Sequence, residues 1–314
     1  MIAFTLENYH QFLLQNIPSR YREDINWDIV QKSIQSEFEF VQKTLINDDY
    51  AQKFRQFCLI PNTTLEDYKS KFIVYNDINV LCSLRFLKRN VEKPYIFVEY
   101  YSSSTADFFL HFEEIKKRIL DEFKIFNVKK IRISLRNEDL AYFEPYRPTP
   151  DLLMYSAKIS DIKKQTFDIL GFKLEQIHYL SEEDYTCYKE EYASFNRDNS
   201  LLTSAFAEPF DVLNKYCASD YGFKAYIDGE WAGFALFVDV AEFFFYGYLV
   251  WDKIVFKKYR GMQLSAAIQN NAFNQFIPHL DGYIYGNIQC ENIGSRKTAE
   301  KSGRENLLTS YFFE

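Results

Sequence analysis

Between Phe243 and Ile288 the chain runs through four distinct residue patterns in one stretch, and few architectures accept that order. The apolar run Phe243–Phe256 reads as a strand, and it breaks at Lys257-Lys258-Tyr259-Arg260-Gly261-Met262-Gln263. Leu264, Ile268, Ala272 and Phe276 then recur every four residues, the apolar stripe of a helix packed on a core. Gly282–Ile288 reads as the next strand. A strand, a helix and a second strand at this spacing favour a parallel crossover, so the chain is expected to carry a mixed α/β sheet. The turn between strand and helix is an anion site in principle, because the first amides of a helix lack intrahelical partners and its dipole is positive there. No Asp or Glu occurs from Lys253 to Leu280, in a chain with 44 acidic and 37 basic residues. Lys253, Lys257, Lys258 and Arg260 are therefore expected to form an uncompensated positive field.

The flanking elements carry their own signals. Glu183–Phe195 and Pro209–Cys217 are amphipathic, Tyr221–Ile227 is strand-like, and Asp228-Gly229 is a tight turn into Trp231–Val238. Asn292 is an N-cap residue for a helix Ile293–Ser302 that ends at Gly303, and a last strand follows. The N-terminal half repeats the plan. Phe72–Val74 and Val80–Phe86 flank Asn76-Asp77, and Tyr95–Tyr100 is a strand. Phe109, Phe112, Ile115 and Ile119 face one side of a helix, and Val128–Leu135 is the next strand. Its turn, Tyr101–Asp107, has no glycine and no basic residue and contains Asp107, so no coenzyme A site is expected there. Residues 1–60 read as mostly helical. Three prolines in Phe143–Pro150 enforce a loop. Leu152–Ile159 is placed as a strand closing the first sheet, and Phe172–Leu180 as the start of the second. The expected domains are 1–160 and 161–314.

The segment Val255–Ser265 resembles the pyrophosphate loop of the Gcn5-related N-acetyltransferase (GNAT) family, Val-x-Pro-x-Tyr-Arg-Gly-x-Gly-x-Gly/Ala. Val255, Tyr259, Arg260 and Gly261 match; Lys257, Gln263 and Ser265 depart. A second family motif is matched by Asn292, Ser295 and Gly303, with Arg304 where the family has Phe. The resemblance implies two GNAT-like domains, each a mixed, mostly antiparallel sheet with a parallel β-α-β crossover and splayed central strands, the N-terminal copy degenerate. It further implies acetyl-CoA as cofactor, bound by Ile254, Val255, Arg260, Gly261, Met262, Gln263, Leu264, Ser265, Asn292 and Ser295, and direct attack of an amine on the thioester without a covalent enzyme intermediate. Asp252, at a position often acidic in the family, becomes the expected general base, with Glu242 and Glu291 as lesser candidates. The family's acid, a Tyr seven residues after the Asn, falls on Ala299; Tyr285 is the expected substitute, with Tyr283 and Tyr311 behind it. The alternative is a catalytically inactive GNAT-fold protein that binds a partner, to which Gln263 and Ala299 both point.

Other chemistries find less support. The five cysteines form no CxxC pair and the four histidines no ligand spacing, so no metal site and no disulfide framework is expected. Cys290 has no histidine near it in sequence. A net charge of −7 and a pI of about 5.4 argue against nucleic acid and anionic membrane as partners, including an RNA-dependent aminoacyl transferase. They are compatible with a cationic small-molecule or peptide amine as acceptor. The N-terminal residues lack a leader pattern and no apolar run spans a bilayer, so a cytoplasmic monomer is the expectation. Aromatic residues make up 18 %, with 31 Phe and 24 Tyr, and are assigned to cores.

Overall fold

The computed structural model describes residues 4–22, 26–46, 48–87, 90–162, 167–198, 205–240, 246–277 and 282–314. Glu242 and the start of the Phe243–Phe256 run lie outside them. Two compact units form. The first takes Met1–Asp151 and also Leu308–Glu314; the second takes Leu152–Ala241 and Phe245–Leu307.

In the first unit three helices, α1 (Leu6–Gln15), α2 (Trp27–Ile46) and α3 (Asp48–Cys58), precede strands β1 (Lys71–Tyr75), β2 (Ile78–Phe86) and β3 (Pro94–Tyr101). The hairpin turns at Asn76, whose φ of 50° is a left-handed conformation that Asn tolerates. Helices α4 (Thr105–Leu110) and α5 (Phe112–Glu122) cross over to β4 (Ile131–Arg136), followed by the short α6 (Leu140–Phe143). The stripe expected from sequence is buried: Phe109, Phe112, Ile115 and Ile119 are each at most 2 % exposed. Strands β3 and β4 run parallel and pair only at Ile96–Ile131 and Phe97–Arg132, then diverge.

In the second unit β5 (Thr149–Lys158) and α7 (Ile159–Ile162) lead to β6 (Phe172–Ile177), α8 (Glu182–Asp198), α9 (Phe210–Ser219), β7 (Tyr221–Ile227), β8 (Glu230–Asp239) and β9 (Gly247–Val255). Helix α10 (Leu264–Asn271), β10 (Tyr283–Gln289), α11 (Ile293–Lys301) and β11 (Glu305–Phe313) follow. The strand order is β5-β10-β9-β8-β7-β6, all antiparallel neighbours except β9 and β10. Leu264, Ile268 and Ala272 are at most 2 % exposed, and each large apolar side chain so buried contributes about 1.5–3 kcal/mol. After Asn271 the helix widens into a π-turn over Ala272–Phe276, where Ile277 N–H donates to the Ala272 carbonyl.

Two strands are not where the sequence reading put them. Leu152–Lys158 does not close the first sheet: it pairs antiparallel with β10, from Leu152–Gln289 to Lys158–Tyr283. The last strand, expected in the C-terminal sheet, instead pairs antiparallel with β4 from Leu308–Arg136 to Phe313–Ile131. Phe313 sits among Phe109, Phe112 and Phe143 of the first core. Both segments are apolar strands of similar length. A local pattern specifies that a strand forms and which face it buries, whereas its partner is a non-local choice.

Candidate functional site

The strands β9 and β10 are paired at Gly247–Tyr283, Tyr248–Ile284 and Leu249–Tyr285, and there the ladder stops although both strands continue. Gly247 makes the approach possible: a Cβ there would lie 2.3 Å from the Tyr283 carbonyl oxygen, and its φ is 126°. On its other edge β9 bulges. Leu236 faces Asp252 and Phe237 faces Val250, leaving Trp251 opposite no residue of β8. A bulge bends and twists its strand and re-aims the side chains beside it. Past Leu249, β9 thus presents backbone without a partner on β10.

A cleft of about 400 Å³ opens in this unit and gathers the end of β9, the turn, the start of α10, one face of α11 and two residues of α8. It brings together Ile254, Val255, Arg260, Gly261, Gln263, Leu264, Ser265, Asn292 and Ser295. Met262 is left out of the lining, at 45 % exposure. Lys253, Lys297 and Lys301, and Tyr192 and Phe195 of α8, also line the cleft and were not assigned to it from sequence. For α11 a signal existed: Gly294, Lys297, Thr298 and Lys301 recur at helical spacing on the Asn292 side.

The turn folds as a 3₁₀ segment Lys257–Tyr259, an extended Arg260, Gly261 at φ 88° and Gln263 at φ 60°, ψ 13°, immediately before α10. A Cβ on Gly261 would meet nothing within 4 Å, so glycine here answers to φ rather than to crowding. Gln263 holds a left-handed conformation that costs a side-chain-bearing residue about 1–2 kcal/mol. Its carbonyl accepts from Ala266 and Ala267 N–H, at 3.0 and 3.1 Å, and no side chain caps the helix. Asn292 does cap: its side chain accepts from Ser295 N–H at 3.0 Å. The free α10 turn, the α11 lysines and the open strand edge fit a phosphate-bearing cofactor with an extended arm.

The expected positive field is corrected. Acids from elsewhere in the chain neutralise the turn: Lys257 Nζ meets Asp198 at 3.0 Å, Arg260 meets Glu191 at 3.3 Å and Asp198 at 3.4 Å, and Lys258 pairs with Glu230. Arg260 Nε also donates to the Val255 carbonyl at 3.0 Å, and its guanidinium lies 5.4 Å from the Phe195 ring centre. Arg260 is thus first a brace between the turn and α8. Of the four cations only Lys253 has no carboxylate partner, and its Nζ is closed off from solvent without a hydrogen bond.

Asp252 is 7 % exposed and takes hydrogen bonds from the hydroxyls of Tyr188 and Tyr192 of α8. Burial pushes its carboxyl up to about 6, and the two phenols hold it from going higher. Tyr188 Oη in turn accepts from Glu208 N–H at 3.0 Å. Burial and the adjacent carboxylate raise both phenols above their ordinary range. Asp252 does not itself line the cleft; Tyr192 does.

Tyr285 is not brought to the cleft. It is fully buried and its hydroxyl donates to the Val240 carbonyl at 2.8 Å. Tyr283 is 2 % exposed against Tyr246, and Tyr311 packs on Phe143 in the first unit. Ala299 is fully buried beside Leu153, Tyr155 and Ile288, so this position faces the core. Cys290 and Glu291 lie outside the lining. In the first unit the corresponding helix start is filled by its own side chains: Ser104 accepts from Asp107 N–H at 3.1 Å and donates to the Asp107 carboxylate at 2.7 Å. Among the described residues no cluster of three metal-ligating side chains occurs, and no helix is long and apolar enough to cross a membrane.

No family profile and no curated protein matches the chain. Among solved structures it is similar to a GCN5-related N-acetyltransferase from Sphaerobacter thermophilus (12 % identity, 84 % of each chain covered, TM-score 0.48). It is also similar to a tandem GNAT protein from the clavulanic acid biosynthesis pathway (8 % identity, 86 % of this chain and 95 % of that one, TM-score 0.47). A GCN5-related N-acetyltransferase from Kribbella flavida aligns at 14 % identity over 85 % of this chain and 94 % of that one, with a TM-score of 0.42. The parallel crossover with diverging strands occurs once in each unit of this chain, at β3/β4 and at β9/β10, and on that ground the fold is of the tandem GNAT type.

Proposed function

We propose that the second unit is a CoA-dependent N-acetyltransferase that acetylates an amine on a small molecule or peptide. The observation that carries this reading is the cleft where the parted edge of β9 meets the uncapped first turn of α10 and the Asn292 face of α11. Bound acetyl-CoA would supply the activated acyl group. The amides that open α10, with Lys297 and Lys301, would hold its phosphates, and the unpaired backbone of β9 would lie along its arm and polarise the thioester carbonyl.

The chain's own part in the proton traffic falls to Asp252 and Tyr192. The attacking amine must lose a proton and the leaving sulfur must gain one. Tyr192 stands on the cleft with its phenol hydrogen-bonded to Asp252, so the carboxylate receives the amine's proton through that hydroxyl. The same bond returns it: Tyr192 gives its proton to the sulfur as it takes one from Asp252, and no tyrosinate builds up. A carboxyl near 6 is matched to this work at neutral pH.

Calorimetric titration with acetyl-CoA, and release of free CoA over a panel of amines, tests the reading. Binding in the micromolar range with CoA release on at least one amine supports it. No heat with acetyl-CoA would favour the partner-binding alternative, in which Gln263 has closed the site.

A further inference from the structure

Arg304 stands where the resembled motif has Phe, and the cofactor reading leaves it unused. It is 3 % exposed, and its Nε has no hydrogen-bonding partner. The guanidinium lies beside the parted strands: a Cβ on Gly286 of β10 would sit 3.7 Å from Arg304 Nη1 and 3.3 Å from Val250 Cβ of β9. Gly286 thereby leaves room for it. Lys253, three residues along β9 from Val250, is the other buried cation without a partner, and it lines the cleft.

These two charges oppose each other. Arg304 acts on Lys253 to lower its affinity for a proton, after the larger effect of burial, and the only ionisable group that favours the Arg304 charge is the Tyr155 phenol. Glu300 and Glu305 line a neighbouring pocket with Arg304, but Glu300 accepts from Tyr155 at 2.9 Å and neither carboxylate is bonded to the guanidinium. Two buried like charges without a counter-ion are costly to the folded protein. A planar guanidinium fixed in a dry site is suited to a carboxylate, which it binds through paired N–H donors.

We propose that Lys253 and Arg304 form a buried anion site at the parting of β9 and β10 that receives a carboxylate of the reactants. The carboxylate belongs either to the acyl group, as in a succinyl-type thioester, or to an amino-acid acceptor. This assignment rests on the proposed cofactor reading, and it narrows the substrate to one that brings its own negative charge into the cleft.

The test compares wild type with Arg304→Met and Lys253→Met. By calorimetry, succinyl-CoA is set against acetyl-CoA. By melting temperature in the presence of CoA, each amino acid is set against its carboxamide. The inference expects one carboxylate-bearing ligand to exceed its neutral counterpart by about ten- to a hundredfold in wild type, with the ratio falling to about one in both variants. A preference in the first comparison assigns the carboxylate to the acyl group, and in the second to the acceptor. The ligand-free variants are expected to melt a few degrees higher than wild type, since each removes an uncompensated charge. Lower melting of both variants, with no carboxylate preference in wild type, would overturn the inference by making the cations structural. If CoA itself fails to bind, the cofactor reading falls separately, and stabilisation by succinate of wild type but not of Arg304→Met still decides the anion site.

Discussion

Tyr192 of α8 donates its phenolic proton to Oδ1 of Asp252 on β9, across 60 residues of sequence, while Tyr188 donates to Oδ2 of the same carboxylate. The carboxyl is thereby fixed on both oxygens and withdrawn from the cleft, and one of its two phenols is the part that faces it.

Asp252→Asn should separate stability from activity. The folded carboxyl titrates near 6, above the ordinary Asp value of about 3.9, so the protonated form is the one the fold favours. The stability it contributes is fully present below about pH 4 and is lost as pH rises through about 6. At pH 8 the Asn variant should therefore be more stable, by up to about 2–3 kcal/mol, and near pH 4 the advantage should vanish. Urea unfolding at the two pH values checks this, with acetyl transfer at pH 8 expected to fall at least a hundredfold.

Tyr192→Phe and Tyr188→Phe remove the same kind of bond from the same carboxylate but should differ in effect. Both phenols hold the carboxyl down, so either loss should move the acid limb of the pH–rate profile above 6. Tyr192→Phe should also cost about a hundredfold in kcat with KM for acetyl-CoA little changed, because it alone breaks the path from the cleft. Equal kcat in the two variants would count against the relay.

Gln263→Gly should stabilise the protein and tighten cofactor binding. Relief of the left-handed backbone, less the freedom glycine gains in the unfolded chain, leaves about 0.5–1 kcal/mol. Removing the side chain also clears the approach to the α10 amides. A melting curve and an acetyl-CoA titration measure the two effects independently.

Glu191→Gln with Asp198→Asn should unmask Arg260 and Lys257. These pairs are partly exposed and contribute little to stability, so melting should move by less than about 1 kcal/mol equivalent. Affinity for acetyl-CoA should rise several-fold at low salt, with a steeper dependence on ionic strength.

Deleting Leu308–Glu314 should unfold the first unit while sparing the second. The segment pairs with β4 over six residues and buries Leu308, Thr309, Phe312 and Phe313. Limited proteolysis should then cut within the first 150 residues, and protection of the cleft residues against hydrogen exchange should persist.

Much of the second unit was legible residue by residue. Asp228-Gly229, the alternation of Tyr221–Ile227, the Leu264–Ala272 stripe and the Asn292 cap are local, each depending on neighbours within a few positions, and each forms as read. The turn's conformation followed too, including the left-handed position that the resembled motif gives to glycine and this chain to Gln263.

What the tertiary structure alone decided is every relationship that crosses the chain. The absence of acids from Lys253 to Leu280 was a true statement about sequence and a misleading one about charge, because Glu191, Asp198 and Glu230 are folded onto the turn. Likewise Leu152–Lys158 and Leu308–Phe313 are plain strands in sequence, and only sheet pairing assigns each to its unit. Tyr192, half a domain away from Asp252 in the chain, became the cleft-side phenol for the same reason. Local patterns follow from backbone geometry and side-chain periodicity. Charge balance, strand partnership and proton paths depend on distances that exist only once the backbone has closed on itself.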